Sequence, residues 1–262
     1  MAEGRLTALV TGASSGIGLE TAKLLAARGY DLWLTARNTD ALSRLAEELA
    51  AAHRVATTVV PADLSAPDGV DRLLEPVGQR GATVDLLVNN AGFGWSGPFA
   101  SMPDSEIVAM VQVNVMALTR LARAVLPGML EQRRGRILNV ASTAGFFAGP
   151  NLAVYYATKA YVISLSEAMA EELSGSGVTV TALCPGPTRT AFAERAQMEQ
   201  SGLFKMATVM TAADVARAGV EGALRGERLV IPGVLNRVLV DSSRLSPRWL
   251  TTKITARLNA RR

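Results

Sequence analysis

Apolar runs of four to seven residues recur along the chain at Leu6–Val10, Asp31–Thr35, Val55–Val60, Val84–Val88, Arg136–Val140, Val178–Leu183 and Arg228–Ile231. Between them lie longer segments in which apolar residues return at helical spacing, near 17–28, 40–52, 67–80, 104–132, 152–173 and 211–224. Breakers such as Gly29, Pro61 and Gly135 fall at the ends of these segments or in the connections. Strands separated by helices pair in parallel, because each helix carries the chain back along the sheet. The pattern therefore predicts an α/β fold: a doubly wound parallel sheet of about seven strands with helices on both faces, in a single domain. Ligands of such sheets sit at the carboxyl ends of the strands, where the winding reverses.

Two stretches depart from the alternation. One, about 188–210, is long and irregular, follows the sixth strand and reads as a lid. The other is the carboxyl terminus. The chain of 262 residues has a net charge of +4, but residues 225–262 hold nine basic residues against two acids. Everything before them is net acidic. The expected organisation is one large domain over 1–233, the lid included, and a basic amphipathic extension over 234–262. The extension packs on the domain or on a partner subunit, with a weak membrane-surface contact as the sharper alternative. Nothing in the chain resembles a nucleic-acid-binding motif, and no nucleic-acid partner is expected.

Composition removes whole classes of chemistry. With one cysteine, Cys184, and one histidine, His53, no Cys/His metal site, disulfide framework or Ser-His-Asp triad can be assembled, and no metal is expected. The amino-terminal residues run straight into Leu6–Val10 without signal-peptide architecture, and no uninterrupted apolar run of about 18 residues follows. A soluble protein of the reducing cytoplasm is the expectation.

What remains is concentrated in a few motifs. Thr11-Gly12-Ala13-Ser14-Ser15-Gly16-Ile17-Gly18 joins the first strand to the first helix, where a glycine turn lets backbone amides approach a pyrophosphate. The alternative is a tight bend without a ligand. At the end of the second strand stands Arg37, where a carboxylate would accept a ribose 2′-hydroxyl; an arginine instead attracts a 2′-phosphate. NADP(H) is thus favoured over NAD(H), which stays possible; the alternative is a solvated arginine in a chain with 23 of them and four lysines. Asp63-Leu64 can present a carboxylate to an adenine amine, or simply cap a helix, and Asn89-Asn90-Ala91-Gly92 offers amides beside the cofactor. Tyr155 and Lys159 are four apart and share one face if helical. A close ammonium together with a cofactor's charge would lower the phenol's pKa enough for acid-base work near neutrality.

This ordered set, Thr11–Gly18, Asp63, Asn89–Gly92, Asn114, Ser142, Tyr155, Lys159 and Pro185-Gly186, resembles the short-chain dehydrogenase/reductase family over roughly residues 5–190. Only the combination is specific, since about 0.06 Y-x-x-x-K matches arise by chance in a chain of this composition. The length resembles the family's shorter branch. The resemblance implies a Rossmann-like sheet and a nicotinamide-dependent oxidoreductase. It makes Tyr155 the acid for carbonyl reduction and the base for alcohol oxidation, with Lys159 lowering its pKa and holding the nicotinamide ribose. Ser142 would bind the substrate oxygen, and Asn114 would hold a water in line with the lysine; its alternative is a helix-interior amide with a backbone partner. Thr188 or Thr190, after Pro185-Gly186, would bond the carboxamide. Family members commonly form homo-oligomers, so a dimer or tetramer is expected. Tyr156 departs from the small residue that many relatives carry.

By the same resemblance, Trp95, Phe146, Phe147 and Phe192 are candidates for the substrate pocket, with core packing as the alternative for each. Together they favour a small apolar carbonyl or secondary alcohol. The competing reading is a catalytically idle dinucleotide-binding regulatory or scaffold protein on the same fold. Retention of Ser142, Tyr155 and Lys159 argues against it, because binding alone needs no acid-base pair.

Overall fold

The computed structural model describes residues 5–79, 83–189 and 209–260. Its centre is a seven-stranded parallel sheet built from β1 (Thr7–Thr11), β2 (Asp31–Thr35), β3 (Thr57–Val59), β4 (Leu86–Asn89), β5 (Gly135–Val140), β6 (Val178–Leu183) and β9 (Leu229–Val230), in the order 3-2-1-4-5-6-9. The expected doubly wound sheet is thus present. The winding reverses between β1 and β4, whose registered residues Val10 and Val88 lie just before Gly12 and Asn90. A crevice opens at that point.

Alternation along each strand divides the core. Ala8, Val10, Leu32, Leu34, Leu86 and Val88 pack in one cluster, with Leu25 of α1 (Gly16–Ala27), Leu45 of α2 (Thr39–His53) and Val220 of the later helix α7 (Ala212–Arg225). Leu9, Trp33, Leu87 and Ile137 point to the other face and pack with Leu73 of α3 (Gly69–Gln79) and Leu121 of α5 (Leu118–Glu131). The central strands β1, β2 and β4 are apolar on both sides because helices cover both faces.

The segment read as one helix over 104–132 is three pieces: α4 (Asp104–Val111), a π-helical stretch Gln112–Ala117, and α5. It is long and apolar enough to cross a membrane by length and composition. Here it lies on the sheet, burying Met110, Leu118, Leu121 and Met129. Two strands are shorter than the apolar runs that announced them. Val55 and Val60 are buried, but β3 spans only Thr57–Val59; just outside it Asp31 Oδ1 takes the Ala56 amide at 2.8 Å and Val60 N donates to Leu34 O at 3.0 Å. The last strand is the pair Leu229–Val230.

The ends of the expected lid meet as a short parallel ribbon, β7 (Thr188–Arg189) with β8 (Met210–Thr211). Residues 190–208, including Thr190 and Phe192 and most of that lid, lie outside the described residues. After β9 the chain forms two helices, α8 (Val234–Leu245) and α9 (Arg248–Asn259). They bury Asn236, Val240, Thr255 and Asn259.

Candidate active site

The crevice holds a cavity of about 640 Å³ whose walls include the glycine turn, Arg37, Asp63, the residues after β4, Ser142, Tyr155, Lys159 and the inner faces of α8 and α9. At one end the chain passes from β1 into α1 without room for side chains. A methyl group on Gly18 would stand 2.3 Å from Gly12 O and 2.4 Å from Asn90 Nδ2, so only glycine lets the helix close on the turn. Asn90 locks that turn from the other side: its Nδ2 donates to Thr11 O at 2.8 Å, while Thr11 Oγ1 accepts from the amides of Asn90 and Ala91 at 2.9 Å. Ser15 is the N-cap of α1, yet its side chain makes no capping bond. The first amides of α1 are therefore open to an anion at the positive end of the helix, as a dinucleotide pyrophosphate requires. Ser14, Gly16 and Ile17 also line this part of the cavity.

Beyond β2, Asn38 caps α2 by accepting from the Ala41 amide at 3.0 Å. Arg37 lies exposed on the cavity wall, with no ion pair among the described residues. Asp63 folds its carboxylate back on its own turn, accepting from Ser65 N at 2.9 Å and Ser65 Oγ at 2.7 Å. No helix starts there, since α3 begins at Gly69, so this is a local turn and not a helix cap, and Asp63 and Leu64 both remain on the cavity wall.

The chemical groups meet at the other end. Helix α6 (Ala153–Glu172) buries Tyr155, Tyr156, Thr158, Lys159 and Val162 on the side facing the sheet. Residues four apart share a face, so Tyr155 and Lys159 project together, the ammonium nitrogen 5.9 Å from the phenol ring centre. Lys159 Nζ donates to Val140 O at 2.7 Å. Ser142 follows β5, accepts the Ala144 amide at 3.1 Å and donates to Pro185 O at 3.4 Å. Its hydroxyl also hydrogen-bonds Tyr155. A polar chain fixes the helices beneath: Asn89 Nδ2 reaches Asn139 Oδ1 at 3.0 Å and Leu118 O at 3.2 Å, and Asn139 Nδ2 reaches Ser166 of α6 at 2.9 Å.

Asn114, in the π-helical stretch, is fully buried. Its Oδ1 accepts from Phe93 N at 3.1 Å, and its Nδ2 donates to Phe93 O at 2.9 Å and Thr158 Oγ1 at 3.1 Å. The amide is thus engaged with backbone and a neighbouring hydroxyl, the alternative foreseen for it. It braces the loop of Gly92 and Phe93 against α6.

In the protein without cofactor, loss of water dominates the electrostatics of this pair; the lower phenol pKa expected from the lysine and a cofactor's charge together concerns the loaded protein. Burial pushes the Tyr155 phenol above its ordinary value, outweighing the Ser142 hydrogen bond that favours the phenolate. Burial also lowers Lys159, to about 8. The sequence shows the neighbouring cation but not the loss of water around both groups, which here decides the direction. Cys184, also beside the lysine, is pushed up to about 12 by its burial.

Of the aromatic candidates, Phe147 lines the cavity. Trp95 packs with Met110, Leu152 and the two tyrosines, and Phe146 with the buried cluster of Leu118, Val162 and Val240. Pro185, Gly186 and Thr188 are on the wall, Thr188 Oγ1 donating to Gly186 O at 2.9 Å. The wall residues that sequence reasoning missed belong mainly to α8 and α9: Asn236, Leu239, Val240, Ile254, Thr255 and Leu258. Helix α8 presses so close that a methyl on Gly186 would meet Asn236 Oδ1 at 2.4 Å. At the end of α9, Asn259 Nδ2 donates to Pro150 O at 3.0 Å, and Tyr156 OH to Asn259 Oδ1 at 3.4 Å. Tyr156, the departure noted in the sequence, is thus the carboxyl-terminal helix's anchor next to Tyr155. Asn259→Ala leaves Pro150 O without this donor and is expected to cost about 1 kcal/mol or more, a fall in Tm of about 2–4 °C. An unchanged melting curve would show that the clamp does not hold the helix.

A family model for the short chain dehydrogenases matches residues 6–201. A granaticin polyketide synthase putative ketoacyl reductase from Streptomyces violaceoruber is 38% identical over 202 residues, covering 76% of this chain and 74% of the relative. Among solved structures, a short-chain dehydrogenase from Sphingobium yanoikuyae in complex with NADPH is 36% identical, with a TM-score of 0.82 over 92% of this chain and 94% of that one. The bulky-bulky ketone specific alcohol dehydrogenase from Comamonas testosteroni is 32% identical, with a TM-score of 0.78 over 92% of each chain.

Proposed function

Because the chain belongs to the short-chain dehydrogenase/reductase family, we propose that it is an oxidoreductase moving hydride between NADP(H) and a hydrophobic carbonyl or secondary alcohol. The observation that carries this reading is one cavity with Arg37 and the open amides of α1 at one end and Ser142, Tyr155 and Lys159 at the other. The nicotinamide supplies the hydride when bound. Ser142 and Tyr155 hold the substrate oxygen, and the buried phenol carries the proton that this oxygen takes up as charge develops on it. Lys159, fixed by Val140 O, holds a positive charge beside the phenol. The substrate walls, Phe147, Leu239, Ile254 and Leu258 among them, offer apolar surface, which suits a ketone better than a sugar or an acid. NADPH bound to the Sphingobium relative and bulky ketones as substrates of the Comamonas relative support the same reading.

Self-association belongs to this reading. Val108, Val111, Met116 and Tyr161 are exposed on α4, the π-helical stretch and α6, where a second copy would cover them.

The test is a screen of apolar ketones, aldehydes and alcohols with each cofactor, following the absorbance of reduced nicotinamide. Bulky apolar ketones should be turned over faster with NADPH than with NADH. Arg37→Ala should weaken NADPH binding by roughly 1.5 kcal/mol, about ten-fold, and leave NADH little changed. Equal losses for both cofactors would remove Arg37 as the phosphate reader. Cofactor binding without turnover of any compound would favour the idle scaffold.

A further inference from the structure

Fourteen large apolar side chains are exposed among the described residues, and eight of them stand on α8 and α9. Val234, Leu235, Val238 and Leu245 occupy the outer side of α8, with Val234 83% and Leu245 91% exposed. Trp249, at the start of α9, is 62% exposed. Charged residues flank this surface. Arg237, Arg248, Lys253 and Arg257 are exposed, and the only acid from residue 234 to the end of the chain is Asp241. Lys253 lies over the Trp249 ring at 5.3 Å. Packing on the domain uses the opposite side of these helices, through Asn236, Val240, Thr255 and Asn259, and leaves the apolar side uncovered.

We propose that α8 and α9 dock the protein on an anionic lipid surface, apolar side chains entering the headgroup boundary and the basic ones pairing with phosphates. Charge selects this occupant. A two-fold contact between copies would bring each cluster of four exposed cations against its own image, with one acid per copy to offset it. An anionic bilayer neutralises the same cluster, and Trp and Leu beside Lys and Arg are the composition of helices that lie in that boundary. Position adds a second argument. Leu239 and Ile254 are half exposed and also line the cavity, so the apolar surface runs into the cavity mouth. An apolar substrate dissolved in the bilayer would reach the cavity without crossing water; this last step rests on the substrate reading above, whereas the docking does not.

The experiment uses the full chain without cofactor or substrate. Its sedimentation is followed with vesicles of phosphatidylcholine alone and of phosphatidylcholine mixed with phosphatidylglycerol. Partition should be at least ten-fold stronger onto the anionic vesicles and should fall as salt is raised. Arg248→Glu with Lys253→Glu, and separately Leu245→Ser with Trp249→Ser, should each cut it about ten-fold or more. All four positions are exposed and none lines the cavity, so melting temperature should hold. If a variant does melt early, the lipid and salt dependence of the unaltered protein still decides. Absence of partition, or equal partition onto neutral vesicles, overturns the proposal. So does light scattering in which the serine variants dissociate an oligomer while vesicle partition is unchanged, since the occupant is then a second copy. A failed ketone screen with intact vesicle partition would overturn the substrate reading and leave the docking standing.

Discussion

Tyr155→Phe is expected to lower turnover by about two to four orders of magnitude, the range that a positioned acid or base supplies. Phenylalanine keeps the ring that packs with Met110, Ala144, Leu152 and Tyr156, so the cavity retains its shape and cofactor dissociation constants should stay within a few-fold. Ser142 loses one partner but keeps the Ala144 amide and Pro185 O. What disappears is the proton. Burial raises the phenol above its ordinary value, so the free protein carries it protonated through the neutral range, the form that carbonyl reduction uses. Steady-state turnover with a bulky ketone, beside a fluorescence titration of NADPH, separates the two quantities. Near-normal turnover in the purified variant would remove Tyr155 from the proton transfer.

Lys159 should leave a pH signature in stability. Its pKa falls from 10.5 to about 8 on folding because its burial disfavours the charged form. Below pH 8 both states hold the proton and the full cost of the buried charge is felt. Between about 8 and 10.5 the unfolded chain binds more protons than the folded one, so stability rises with pH. Relative to Lys159→Met, the wild type should therefore gain roughly 2 kcal/mol between pH 7.5 and pH 10. The methionine variant loses the bond to Val140 O at every pH, which shifts its curve without tilting it. Urea unfolding of both proteins at the two pH values provides the comparison. Parallel curves would mean that the lysine is solvated in the folded state. The same substitution should weaken cofactor binding, since the ammonium would also serve the nicotinamide ribose.

Much of this was legible in the sequence because it rests on local pattern. Period-two alternation in Ala8-Leu9-Val10 and Leu32-Trp33-Leu34 divides the core as the structure does. The glycine turn, Ser142, Tyr155 and Lys159 come together in one cavity because each follows a strand or opens a helix at the same edge of the sheet. What was not legible depends on docking at long range. Asn236, Leu239, Thr255 and Leu258 read as parts of a basic tail, and burial of Val240 together with the clamp between Asn259 and residues 150 and 156 carries them to the cavity. Asp63 bonds its own turn without capping a helix, and Asn114 bonds Phe93 and Thr158, 21 and 44 residues away, partners that spacing along the chain does not reveal. The upward shift of Tyr155 in the cofactor-free protein was not legible either: spacing reveals a neighbour, whereas desolvation is a property of everything packed around it.

The π-helical stretch Gln112–Ala117 also fixes the length of the chain at that point. A π-turn holds one residue more than a regular turn. Upstream, Glu106 and Ala109 face the cavity, while downstream Leu118, Leu121 and Val125 face the sheet and its neighbours. Winding the same residues as a regular α-helix would swing one half against the other by about 100°, the rotation of one residue. Either the cavity wall or the core contact would then turn toward water. The wide turn absorbs that rotation in the middle of the helix, so one half keeps its face on the cavity and the other on the sheet, with Asn114 buried inside the turn that reconciles them.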